Sequence, residues 1–92
     1  MPATISASEK LQETILLLAY WSKRAKEEEG ITTSVVMVTQ LPTGMGVVNV
    51  YQNGDLQETP LAIATVADEV ARKALRFASE MAGIGGIKPV SV

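Results

Sequence analysis

The first thirty residues of the chain carry the pattern of an amphipathic helix. Ser6 followed three positions later by Glu9 has the spacing of a capping box, which predicts that the helix begins there. Gly30 ends it, because glycine adopts the left-handed conformation of a helix terminus without strain. The apolar side of this helix, which we expect to face the core, comprises Leu11, Ile15, Leu18, Trp21 and Ala25.

The middle of the chain is rich in β-branched residues, and its pattern changes to that of strands. We expect strands over 32–41 and 46–52, separated by Pro42-Thr43-Gly44. Asn53-Gly54 is a strong hairpin signal, because both residues tolerate the positive φ angles of a tight turn. After this turn, residues 55–58 are expected to form a short third strand.

The last long segment reads as a second helix. Thr59 as N-cap and Pro60 in the first turn predict one start, and residues 65–68 offer a second. The helix ends before Gly83, and its charged side lies opposite Ala67, Ala71, Ala74 and Ala78. The predicted fold class is therefore α+β, in the order α-β-β-(β)-α. Two helices pack on one face of a small antiparallel sheet in a single domain over 1–92, with irregular segments at 1–5 and 84–92.

Composition narrows the range of functions. The 92 residues include neither histidine nor cysteine, so imidazole bases, thiolate nucleophiles and the usual zinc ligands are absent. We expect no enzyme activity, no cofactor and no metal site. The net charge of −2 gives no electrostatic reason to bind nucleic acid or anionic membranes. The longest apolar run, Ile15–Trp21, is too short to span a bilayer, and a cytoplasmic location is expected.

The most informative feature of the sequence is an uncharged central segment. From Ile31 to Gly54, twenty-four residues, there is no Asp, Glu, Lys or Arg. Both faces of the predicted hairpin are apolar, whereas a sheet with one wet face normally alternates apolar with polar residues. We therefore expect a homodimer or a higher even-numbered homo-oligomer. The expected interface residues are Val35, Val36, Met37, Val38, Val47, Val48, Val50 and Tyr51.

Two further groups of residues are candidate binding sites. Leu16, Leu17 and Tyr20 form an apolar patch within the charged side of the first helix, where a protein partner is expected to bind. Where two hairpins meet, a ligand cavity is expected around Met37, Met45, Asn49 and Tyr51.

The function class that these features favour is a non-enzymatic binding or interaction protein, acting as a homo-oligomer. An adaptor, a small inhibitor and a ligand-sequestering protein all fit. One alternative is a nucleic-acid-binding regulator with an α-β-β-β-α fold, although residues 64–69 at the final helix are apolar and then acidic, where such a protein needs Lys and Arg. A more remote alternative is a tautomerase that uses Pro2 as an N-terminal secondary amine.

Overall fold

The computed structural model describes residues 4–82, which form two helices and a three-stranded antiparallel sheet. The elements are α1 (Ala7–Glu29), β1 (Ser34–Gln40), β2 (Gly46–Gln52), β3 (Asp55–Leu56) and α2 (Pro60–Met81). The α+β class and the order α-β-β-β-α predicted from the sequence are confirmed. Pro2 and the predicted irregular segment 84–92 lie outside the described residues.

Capping side chains explain where the helices begin. The Ser6 hydroxyl accepts a hydrogen bond from the Glu9 N–H at 3.2 Å, and the Thr59 hydroxyl accepts one from the N–H three residues on, at 3.1 Å. Each hydroxyl thus accepts a hydrogen bond from a backbone N–H that has no partner within the first turn of its helix. Pro60 occupies the first turn, so α2 uses the earlier of its two predicted starts. Gly30, with φ of 70°, ends α1.

The sheet is built on the β1–β2 hairpin. Its strands pair antiparallel in the order β1-β2-β3, with Val35 opposite Tyr51 and Val38 opposite Val48. The predicted Asn53-Gly54 turn joins β2 to β3, and both residues have positive φ. The same turn also holds the start of β1, because the Asn53 N–H donates to the Thr33 carbonyl at 2.7 Å and the Asn53 Oδ1 accepts from the Thr33 N–H at 3.1 Å.

One face of the sheet is covered by α1. Ile15 and Ala19 form a buried cluster with Tyr51, and Val35 and Met37 pack against it. Because side chains alternate along a strand, these three strand residues, all at odd-numbered positions, share a face.

The other face is covered by α2, which packs on both β1 and β2. Val50 is fully buried although it points away from its neighbour Tyr51, and Val66 of α2 is buried as well. Residues Thr32 and Ser34, at even-numbered positions, lie beside α2. The sequence predicts both helices on one face; the contacts instead place one on each, because a hairpin with two apolar faces needs a cover on both.

Close approach of α1 to the sheet depends on Gly54. A Cβ atom at this position would lie 2.8 Å from the Lys23 Cβ and closer still to the Ala19 carbonyl oxygen. Gly54 also has φ of 85°, which side-chain-bearing residues rarely adopt. The helix can therefore cross the β2–β3 turn only where no side chain stands between them.

The substitution Gly54→Ala tests this contact. We expect it to lower the free energy of unfolding by about 3 kcal/mol, from backbone strain together with overpacking against α1. Gly44→Ala is the matched control, since Gly44 also has positive φ but meets no atom within 4 Å; it should cost about 1 kcal/mol. Urea denaturation measures both, and equal losses would contradict the proposed crossing.

Candidate interaction surfaces

The described residues expose a large share of their apolar side chains. Eighteen large hydrophobic side chains are exposed, whereas five hydrophobic residues are buried. Single exposed apolar residues are normal, but contiguous groups of them mark interaction sites. The described residues hold no cluster of acidic side chains that could bind a metal ion. Within the same range, no helix is long and apolar enough to cross a membrane.

β1 is an edge strand along its whole length. The Asn53 N–H bonds the Thr33 carbonyl, and the Leu41 N–H bonds the Met45 carbonyl, so the odd-numbered residues of β1 exchange hydrogen bonds with β2. In an antiparallel pair the intervening residues point their N–H and C=O groups the other way. Within residues 4–82 no strand pairs with that side of β1. Four residues therefore present an open backbone edge: Ser34, Val36, Val38 and Gln40.

No charged residue or proline protects this edge. Natural sheets usually guard a long edge strand with Lys, Pro, a bulge or a covering loop, because open backbone groups pair with any available strand. β1 reads Ser-Val-Val-Met-Val-Thr-Gln and contains neither charge nor proline. It is therefore a ready template for another strand.

The end of the hairpin that is distant from Gly54 is only partly covered by the helices. On the α2 side, Val38 is 73% exposed and its cross-strand partner Val48 is 40% exposed. On the α1 side, Leu41 and Val47 are exposed, and Met45 projects from the connection between the strands. The exposed end of the hairpin is thus apolar on both faces and continuous with the open edge of β1.

The predicted interface residues divide between the surface and the core. Val38, Val47 and Val48 are exposed, and Val35, Val36 and Met37 are half-buried. Val50 and Tyr51 are buried by the chain's own helices, so a second copy cannot reach their side chains. The accessible part of the predicted interface is therefore the distal half of the hairpin and the β1 edge.

The predicted ligand residues are brought together only in part. Met37 and Asn49 are cross-strand partners on the face beneath α1, and Tyr51 is buried on the same face. Met45 lies apart, exposed in the connection between the strands. The Asn49 Nδ2 is buried without a hydrogen-bond partner, the one such side-chain atom found within residues 4–82.

The predicted partner patch on α1 is exposed. Leu16 and Leu17 both lie open to solvent, and Tyr20 packs edge-to-face on Trp21 with ring centroids 5.0 Å apart. Arg24 donates to the Tyr20 hydroxyl at 3.0 Å and forms an ion pair with Glu28. The hydrogen bonds that the Arg24 guanidinium donates to Glu28 and Tyr20 raise the pKa of Arg24 above its ordinary value. Tyr20 is thus held on the surface by its neighbours along the helix.

The side of α1 that the sequence predicts to face the core is only partly buried: Ile15 is buried and Ala25 is half-buried, but the other three residues are exposed. Leu11, Leu18 and Trp21 are roughly half exposed, while Ile15, Ala19 and Ser22 turn inward. The Ser22 hydroxyl is satisfied by donating to the Leu18 carbonyl at 2.8 Å. Small inward residues allow the helix backbone to approach Gly54, which larger side chains at those positions would prevent. The pairing of small residues with a turn glycine is the sequence signal that predicts this orientation.

Comparison with known proteins found no family model, no curated protein and no solved structure that matches the chain.

Ile15→Ala and Leu18→Ala together test the orientation of α1. Ile15 is 4% exposed, so its truncation should cost about 2–4 kcal/mol of unfolding free energy. Leu18, 46% exposed and only three residues away, should cost less than about 1 kcal/mol. Chemical denaturation at low protein concentration provides the comparison. A greater loss for Leu18→Ala would mean that the predicted apolar side, and not the small-residue side, faces the sheet.

Proposed function

We propose that the protein is a non-enzymatic interaction protein that acts as a homodimer, joined by antiparallel pairing of the two β1 strands. The observation that carries this proposal is the open, uncharged edge formed by Ser34, Val36, Val38 and Gln40. Pairing would join two three-stranded sheets into one sheet of six strands.

When two β1 strands pair with each other, the open backbone N–H and C=O groups of one copy are satisfied by those of the other copy. In a two-fold arrangement the same patch serves both copies, and an antiparallel strand pair is compatible with such symmetry. Each outward N–H meets an outward C=O of the other copy, as it does in an ordinary β-ladder. Each copy therefore gains hydrogen bonds along a strand that is otherwise paired on one side.

The absence of charge favours a second copy as the occupant. In an antiparallel pair of β1 strands the residue at the two-fold axis faces its own copy, so a lysine or glutamate at that position would meet its own like charge. The stretch from Ile31 to Gly54 carries no such residue. Val38, exposed on the edge strand itself, adds apolar area that β1–β1 pairing would bury.

The opposite edge of the sheet, which is formed by β3, favours a closed dimer and disfavours an open fibre of repeatedly paired sheets. β3 is two residues long, and its Asp55 forms an ion pair with Lys23 of α1 at 3.2 Å. Short, charged edges resist further strand addition. Pairing through β1 uses the long edge of each copy and leaves the guarded one outside.

Dimerisation supports an adaptor or inhibitor role. Each copy carries its own exposed patch of Leu16, Leu17 and Tyr20 on α1, on a different element from the β1 edge. A dimer therefore presents two such patches to protein partners, and two linked sites bind more tightly than one when a partner can reach both.

Val38→Lys tests the proposed dimer. We expect it to raise the dissociation constant about 100-fold, because the dimer would have to place an unpaired charge beside the strand pair. Leu61→Lys is the control, since it introduces the same charge on the first turn of α2 at a side chain that is more exposed. Light scattering should give twice 9.8 kDa for the native chain and for Leu61→Lys, and 9.8 kDa for Val38→Lys.

Amide hydrogen exchange distinguishes edge pairing from face packing in the same samples. The outward amides of Val36 and Val38 should become protected as concentration rises, whereas those of Val35 and Met37 are already bonded to β2. A native chain that stays monomeric at high concentration, or a dimer that leaves the Val36 and Val38 amides unprotected, would refute β1 pairing.

A further inference from the structure

A cleft of about 530 Å³ lies between the C-terminal half of α2 and the start of β1. The residues that line the cleft are Thr32, Ser34, Val70, Lys73, Ala74, Arg76 and Phe77.

Two cations without acidic partners meet in this cleft. Most basic residues of residues 4–82 are neutralised: Lys10, Lys23, Arg24 and Arg72 each form an ion pair. Lys73 and Arg76 form none, and both line the cleft. Glu69 and Glu80 lie on the same helix but are not among the lining residues. The lining therefore contains positive charge and no carboxylate.

The remaining lining residues supply hydroxyl groups and apolar surface. Thr32 and Ser34 contribute hydroxyl groups from the strand side. On the helix side the Arg76 guanidinium stacks over the Phe77 ring, 4.6 Å from its centroid. Stacking orients a guanidinium while its edge stays available to accept an anion. Val70 and Ala74 complete an apolar wall.

We propose that this cleft binds a small organic anion, a phosphate ester or carboxylate attached to a flat apolar group. Lys73 and Arg76 bind the anion, because cations without partners gain the most from a new ion pair. Thr32 and Ser34 donate hydrogen bonds to it. The flat group packs on Phe77, Val70 and Ala74, as in ligand sites that combine apolar walls with a few convergent polar groups.

The site goes beyond the proposed dimer and is separable from it. β1 pairing uses outward backbone groups, whereas the cleft uses side chains on the α2 face. Substitutions at Lys73 and Arg76 should therefore leave the molar mass unchanged. Ligand binding and dimer formation can each fail without the other.

Phenyl phosphate and benzoate are the probes, and benzyl alcohol is their uncharged counterpart. In ¹H–¹⁵N spectra of the full chain, at least one anion should cause saturable shifts at Thr32, Ser34, Lys73, Arg76 and Phe77. The double variant Lys73→Gln with Arg76→Gln should weaken this binding at least about 10-fold. Both side chains are exposed on a helix, so the variant should keep the native spectrum elsewhere.

Lys26→Gln is the matched control, because Lys26 is a further cation of the described range without an ion pair and lies on α1. It should leave anion binding unchanged. The proposal is overturned if shifts are non-saturable or scattered over all basic residues, if Lys26→Gln weakens binding as much as the double variant, or if benzyl alcohol binds equally well.

Discussion

The fold depends on covering a hairpin that is apolar on both faces. One face of the hairpin carries Val35, Met37 and Tyr51, and the opposite face carries Val36 and Val50. Helices packed on only one face would leave the apolar side chains of the other face exposed to water. The chain solves this with one helix on each side. Two long helices on a small sheet give little area for each to bury, which is why the buried core contains so few residues.

Gly54 sets how α1 can meet the sheet, and this in turn decides which helix face is left for other molecules. Because the helix crosses the turn at Ala19 and Lys23, its inward residues must be small near that point. The larger Leu18 and Trp21 are then displaced to the flank, where they stay half exposed. The close approach of the α1 backbone to the β2–β3 turn therefore leaves an apolar surface on the outer side of α1.

Much of the fold follows from local signals, whereas its arrangement does not. Ser6, Gly30, Thr59 and the Asn53-Gly54 turn fix element boundaries through capping and positive φ, which depend on near neighbours alone. The side of the sheet that each helix takes depends on distant contacts, so periodicity could not assign it. The candidate cleft was missed for the same reason: Thr32 and Arg76 are far apart in sequence, and neither belongs to a motif.

Covering both faces changes what an uncharged hairpin implies. Apolar faces alone suggest face-to-face association, but Val50 and Tyr51 are already withdrawn from solvent by the chain's own helices. What stays open is the outer backbone edge of β1 and the exposed end of the hairpin around Val38 and Val48. Backbone groups at an edge are satisfied by strands and not by helices, because only a strand matches their spacing. The absence of charged side chains thus matters most along the edge of β1, where a single lysine is enough to disfavour the pairing of another strand.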